Sequence, residues 1–353
     1  MSGTILVTGG GGFVGAHAAR YFAKGGWDVI AFDNLSRAQL LQGRKGPIPE
    51  TYNWDRLRTQ ERVRLVRGDI RRMEELEPAF DGADAVIHTA AQVAVTSSLK
   101  DPRTDFAVNL EGTFNVLEAA RRAPRNPRIV FCSTNKVYGN NVNRIPVREE
   151  GTRYAFDDPA YVNGIPIDFP IDRCEHTPYG VSKLAADLYV QDYAHTYGLR
   201  TAVFRMSCIY GEGQSGNEDQ GWVAHFVISI LRGSPLTIYG DGKQVRDVLH
   251  AEDLVRAFES ALQSPEALNG GVFNIGGGPR NTLSLLELVH LVKVTKGAEP
   301  ILSFSDWRPG DQKVYISDIA RAKTVLGWTP KIPPSDGVGR LAGWYQEQFL
   351  GRP

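Results

Sequence analysis

The residues able to do chemistry fall into three groups. Tyr179-Gly180-Val181-Ser182-Lys183 spaces a phenol and an ammonium one helical turn apart, so a helix would set both on one face. A cation beside a phenol favours phenolate and lowers a pKa that is about 10 in isolation, which predicts a base near neutral pH at Tyr179. The same spacing recurs at Tyr239 and Lys243, but Gly240 and Gly242 interrupt it, whereas Tyr179 opens a helical pattern through Leu184, Leu188, Gln191 and Asp192. In the second group, Gly9, Gly12 and Gly15 lie between the apolar run Thr4 to Val7 and a helical pattern carrying Ala18, Ala19, Tyr21 and Phe22. Glycines at such a turn let backbone approach a pyrophosphate at a helix N-terminus, which predicts dinucleotide binding. Asp33, ending the next strand, would accept hydrogen bonds from the adenosine ribose and repel a 2′-phosphate, so NAD is preferred to NADP, with Arg37 weighing the other way. Asp69-Ile70 ends the third strand, where it would flank the adenine. The third group is Ser133-Thr134, whose hydroxyls end the run Ile129 to Cys132, at the strand edge where open α/β sheets hold ligands.

Elements of a particular kind must position these groups. Short apolar runs at 4–7, 28–32, 63–66, 85–88, 129–132 and 201–205 alternate with helical stretches and show no polar alternation, which predicts a doubly wound, Rossmann-type parallel sheet covered on both faces. Stretches near 37–62 and 140–178 carry Pro, Gly and mixed charge without periodicity and read as long loops or insertions over the strand carboxyl ends. Beyond 205 the rhythm loosens, with glycine turns at 211–221 and 240–242 and a helical stretch at 282–296. The expected division is a dinucleotide domain over 1–205, rejoined by 245–272, and a smaller α/β substrate lobe from 206–244 and 273–353. A chain of 353 residues with 42% apolar and 23% charged residues is ordinary globular material. Lys+Arg and Asp+Glu balance at 40 each, which removes any global field for nucleic acid or membrane. Cys132, Cys174 and Cys208 form neither a CxxC nor an even set, and the seven histidines show no HxH or HExxH spacing, so neither a disulfide framework nor a metal site is expected. No signal segment or apolar span is legible, which fits a cytoplasmic protein.

Taken in order, Gly9-x-x-Gly12-x-x-Gly15, Asp33-Asn34-Leu35-Ser36, Ser133-Thr134 with Val137-Tyr138-Gly139, Tyr179-x-x-x-Lys183 and Arg246-Asp247-x-x-His250-x-x-Asp253 resemble the extended short-chain dehydrogenase/reductases that act on nucleotide sugars. The resemblance spans nearly the whole chain. It implies Tyr179 as the base toward a sugar hydroxyl, Lys183 on the nicotinamide ribose, and Thr134 on the reacting oxygen. It also implies Phe13 and Val14 on the pyrophosphate, Asp33, Asn34, Ser36 and Arg37 on the adenosine ribose, and Thr89, Ala90, Ala91 and Gln92 along the cofactor with Asn109 nearby. Gln92, Ser133, Cys208 and Gln220 would face the sugar, while Arg246 and Arg308 would clamp the diphosphate. The family's 4,6-dehydratases carry an acidic pair after the threonine; Asn135 and Lys136 stand there and cannot act as that acid, and Cys208 replaces the amide common in 4-epimerases. The stretches 133–139, 219–222 and 242–250 look most like the family's 2-epimerases of CDP-linked sugars, with a 4-epimerase and a non-catalytic NAD-binding regulator as alternatives. A homodimer or homotetramer is implied, through helices near 104–121 and 180–197.

Overall fold

The computed structural model describes residues 2–40, 47–308 and 310–351; residues 41–46 of the expected 37–62 loop, and Pro309 beside Arg308, lie outside the described residues. Seven strands, β1 (Thr4–Thr8), β2 (Asp28–Asp33), β3 (Val63–Arg67), β4 (Ala85–His88), β5 (Arg128–Thr134), β6 (Arg200–Met206) and β7 (Asn269–Ile275), pair in parallel in the order β7-β6-β5-β4-β1-β2-β3. Their apolar runs lack polar alternation because successive residues enter two different cores. Ile5, Val7, Ala31, Ile87 and Val130 pack under α1 (Phe13–Lys24) and the helix Ala251–Gln263. Leu6, Ile30, Val86, Ile129 and Phe131 pack under α2 (Gly112–Arg122) and α3 (Thr177–Tyr197).

The second lobe is built on Val245–His250, which pairs in parallel with Cys208–Tyr210 and Val314–Tyr315 and antiparallel with Thr282–Ser284. Helix α4 (Trp222–Leu231), the helix Leu285–Lys296 and the C-terminal helix Pro334–Phe349 close a third core through Val223, Val227, Leu288 and Leu341. Val245–His250 therefore does not rejoin the large sheet as expected; the return begins with the helix Ala251–Gln263 and completes at β7. All six residues of that strand are buried, and a buried run carries no mark of which sheet it joins.

Three expected features take a more definite form. Within the 140–178 stretch, read as a loop or insertion, Val147–Glu150 and Arg153–Phe156 form an antiparallel hairpin, turned at Gly151 (φ 60°). The Tyr154 N–H donates to Lys243 O at 2.9 Å, and Val137, Tyr138, Phe156 and Ile165 make a fourth core with Val314 and Tyr315. The hairpin strands are short and mostly turned to solvent, so no periodic signal arises. Within 37–62, Tyr52–Leu57 is helical and buries Trp54 and Leu57 against the first core. The helical stretch expected from 282 starts at Leu285, because Ser284 and Glu287 form a capping box that fixes the helix N-terminus there.

Candidate active site

In this order of strands the chain proceeds from β1 to one side and from β4 to the other, so the crevice between their carboxyl ends is the topological switch point. The loops after β1 and β4 touch there. A Cβ on Gly9, whose φ is 71°, would lie 2.6 Å from the Ala90 nitrogen, and one on Gly15 would lie 2.1 Å from Gly9 O. Neither position admits a side chain. Gly12, the N-cap of α1, offers no capping group, and the first turn carries no acidic residue, so the turn's free N–H groups form a site for an anion.

These residues line one cavity. Its wall holds Gly9, Gly12, Phe13, Val14 and Gly15 from the β1 turn, Asp33, Asn34, Ser36 and Arg37 after β2, Asp69 and Ile70 after β3, and Thr89 to Gln92 after β4. The Asp33 carboxylate accepts from Gly11 N–H at 2.9 Å and Leu35 N–H at 2.7 Å, and burial raises its pKa. Asn34 spends its amide on Asp69 (2.9 Å) and its carbonyl on Ser36 N–H (3.0 Å). Arg37 reaches across to the other lobe, donating to Ser215 O at 2.8 Å and Gln220 Oε1 at 2.9 Å. The glycine cradle, the free helix N-terminus and a carboxylate at the β2 end fit a dinucleotide.

Beside this cavity stands the expected triad. Thr134 ends β5; Tyr179 and Lys183 are buried on the sheet-facing side of α3, where one turn separates them. The Thr134 hydroxyl donates to Asn135 Oδ1 at 3.3 Å and lies near enough to the Tyr179 phenol to favour its charged form. Lys183 is turned to the Cys132 carbonyl at 2.7 Å, with its ammonium 4.1 Å from the Phe131 ring centre. Burial pushes Tyr179 up to about 12, the neighbouring Thr134 hydroxyl working against it, and pushes Lys183 down to about 8. The expected lowering of the phenol pKa by Lys183 is therefore not what the protein alone provides, because removal from water outweighs the neighbouring dipoles and the ammonium is engaged elsewhere.

Three expected contacts are corrected. Asn109 does not line the cavity: it is fully buried, donating to Gln92 O (3.0 Å), Asp105 (3.2 Å) and Ser182 (3.1 Å). Gln92 lies on the wall, but its amide is spent on Asp105 (2.7 Å) and Ala94 O, so it does not face a sugar. Ser182 also donates to Asp105, at 2.5 Å, which ties the β4 loop to α3 one residue before Lys183. Ser133 points away from Thr134, as neighbours on a strand must, and donates to Asp187 at 2.7 Å, which is paired with Arg205.

A second cavity opens between the lobes, and Gln220 borders both. Cys208, Arg246 and Arg308 line it with Trp222, joined by Lys136, His225 and Tyr239, which the motifs did not single out as ligands. The Arg308 guanidinium lies 3.7 Å from the Tyr239 ring centre, and Arg246 pairs with Asp311 at 2.5 Å. The Trp222 indole N–H is buried against the Cys208 thiol with no oxygen or nitrogen acceptor, and Gln244 Oε1 is likewise buried without a donor. Cationic side chains together with unspent polar groups along one wall suit a phosphorylated, hydroxyl-bearing ligand. Among the described residues no group of three or more His, Cys, Asp or Glu could hold a metal ion.

Comparison with known proteins gives the same class. The chain is 40% identical to a CDP-paratose 2-epimerase of Salmonella typhi over 349 residues, 96% of this chain and 98% of that one. It is 30% identical to a UDP-glucose 4-epimerase of Azospirillum brasilense, covering 99% and 94% of the two chains. The solved UDP-glucuronic acid 4-epimerase of Bacillus cereus, in complex with UDP-glucuronic acid and NAD, superimposes with a TM-score of 0.79 at 26% identity over 98% of this chain and all of that one. Residues 5–276 match a family model, and on that match and the relatives' coverage of nearly the full length, the chain belongs to the NAD dependent epimerase/dehydratase family and is an enzyme of its nucleotide-sugar class.

Proposed function

We propose that the protein inverts carbon 2 of a nucleotide-linked sugar, of the CDP-paratose or CDP-glucose type, by transient oxidation to a 2-keto sugar. The observation that carries the choice of carbon is the 40% identity to a CDP-paratose 2-epimerase across both chains, against 30% to the 4-epimerase. The first cavity would hold NAD, with the α1 amides on its pyrophosphate and Asp33 on its ribose. When bound, NAD supplies a hydride acceptor, a positively charged ring and, on the return, the hydride. Tyr179 would take the proton of the carbon-2 hydroxyl and give it back, while Thr134 steadies the same oxygen. Lys183 would hold the cofactor ribose, and Arg246 and Arg308 the diphosphate, so that the ring of the keto sugar can turn without leaving. Dehydration is disfavoured because Asn135 and Lys136 offer no carboxylic acid beside Thr134. A 4-epimerase is the second reading, favoured by the superposition on a 4-epimerase. We further propose that two copies associate through the outer faces of α2 and α3.

The test is an NMR assay in heavy water with CDP-, UDP-, GDP- and dTDP-glucose and CDP-paratose. A carbon-2 epimer free of deuterium is expected from at least one CDP-sugar. A carbon-4 epimer would establish the second reading, and steady accumulation of NADH would replace both by net oxidation.

A further inference from the structure

We propose that Lys136 decides which carbon reacts, by holding the phosphate attached to the sugar close to Thr134; this rests on the nucleotide-sugar reading above. The main-chain N–H of Lys136 donates to Thr134 Oγ1 at 3.3 Å. Its Cα therefore lies within about 5 Å of that hydroxyl. The side chain runs from this tether into the wall of the second cavity, beside Cys208, Arg246 and Gly310. Within hydrogen-bond range, the oxygen it meets among the described residues is Gly310 O at 3.4 Å, long for an ammonium donor. The nearest carboxylate, that of Asp311, is already paired with Arg246. Burial and the neighbouring Arg246 charge hold the ammonium down at about 8, a cost that an arriving anion relieves. One end of the cavity thus presents a tethered, under-engaged cation within one side chain's length of the oxygen-binding hydroxyl.

Sugar geometry turns this into a choice of carbon. In a nucleoside diphosphate sugar the phosphate oxygen is bonded to carbon 1. The carbon-2 oxygen sits on the adjacent carbon, so a hydroxyl docked at Thr134 and Tyr179 from carbon 2 brings the sugar-linked phosphate beside it, where Lys136 ends. A hydroxyl docked from carbon 4 lies across the ring, leaving the ammonium against neutral hydroxyls and the sugar-linked phosphate farther from it. A carboxylate at position 136 would repel the carbon-2 pose, and a neutral side chain would not select it.

The test compares wild type with Lys136→Gln and Lys136→Arg, all purified with their bound NAD, using CDP-paratose turnover and calorimetric binding of CDP and CMP. Lys136→Gln should lose about 10- to 100-fold in CDP affinity with CMP binding unchanged, as expected for one charged hydrogen bond. Its KM should rise and carbon-2 turnover fall while NAD content stays full, and Lys136→Arg should recover most of both. Unaltered CDP affinity and carbon-2 kcat/KM in a folded, NAD-replete Lys136→Gln would overturn the inference and leave the epimerase reading standing. Should Lys136→Gln fail to fold, a Lys136→Arg enzyme with no recovered CDP preference over CMP would overturn it equally. Wild type that inverts carbon 4 alone would overturn both.

Discussion

Burial sets the resting state of the two titrating groups at the candidate centre, and it does so against the direction a local reading suggests. Tyr179 is held up to about 12 and Lys183 down to about 8. In the proposed reaction the phenolate must then be favoured by positive charge arriving with the cofactor, so catalytic competence and cofactor occupancy are coupled. Tyr179→Phe keeps the ring and removes the proton acceptor. We expect it to lower kcat by about 10²- to 10⁴-fold with bound NAD unchanged; steady-state rates and cofactor content on the same preparation check this, and near-normal turnover would remove Tyr179 from its role. The spacing in sequence placed the phenol and the ammonium on one helix face, and the structure has them there. The hydrogen bond of Lys183 to Cys132 O was not legible, because it depends on where β5 ends relative to α3.

At the scale of elements, α3 carries two unlike faces. Tyr179, Ser182, Lys183, Ala186 and Val190 are buried toward the sheet, while Val181, Leu188, Tyr189 and Tyr197 are exposed. Phe114 of α2 extends the apolar surface, with its ring 5.8 Å edge-on from Tyr189. Apolar side chains gathered on adjacent helices mark an association surface more often than a solvated one. We expect the wild type to elute as a dimer or larger in size exclusion with light scattering, and Leu188→Glu with Phe114→Glu to shift it to monomer; a wild-type monomer at micromolar concentration would remove the proposed seam. Helical periodicity alone does not separate this face from the core face, since both are apolar. The hairpin at 147–156 was illegible for the opposite reason, its residues being mostly polar and its stability coming from contacts with Lys243 and Glu287 far along the chain.

For the whole molecule, the histidine that joins sheet to helix makes stability depend on pH. His88 is buried between Thr8 Oγ1 (2.7 Å) and Thr113 Oγ1 (3.0 Å), and burial lowers its pKa from 6.5 to about 3. It stays neutral in the fold and protonates on unfolding, so its contribution is complete above pH 6.5 and is lost as pH falls from there toward 3, at up to about 1.4 kcal/mol per pH unit. Denaturant midpoints for wild type and His88→Gln between about pH 7 and pH 5 measure it: the variant should show the shallower decline, and parallel declines would assign the acid sensitivity to other groups. Local sequence determined the strands, the glycine turn, the YxxxK helix and the acid at the end of β2, because each depends on residues within one or two turns of chain. Only tertiary structure decided that Val245–His250 leaves the large sheet, that Ser133, Gln92 and Asn109 are spent within the protein, and that Lys136 reaches the second cavity. Those outcomes depend on which buried surface or polar partner the fold brings alongside, from 13 residues away for Gln92 to 174 for Lys136, and no local pattern encodes that choice.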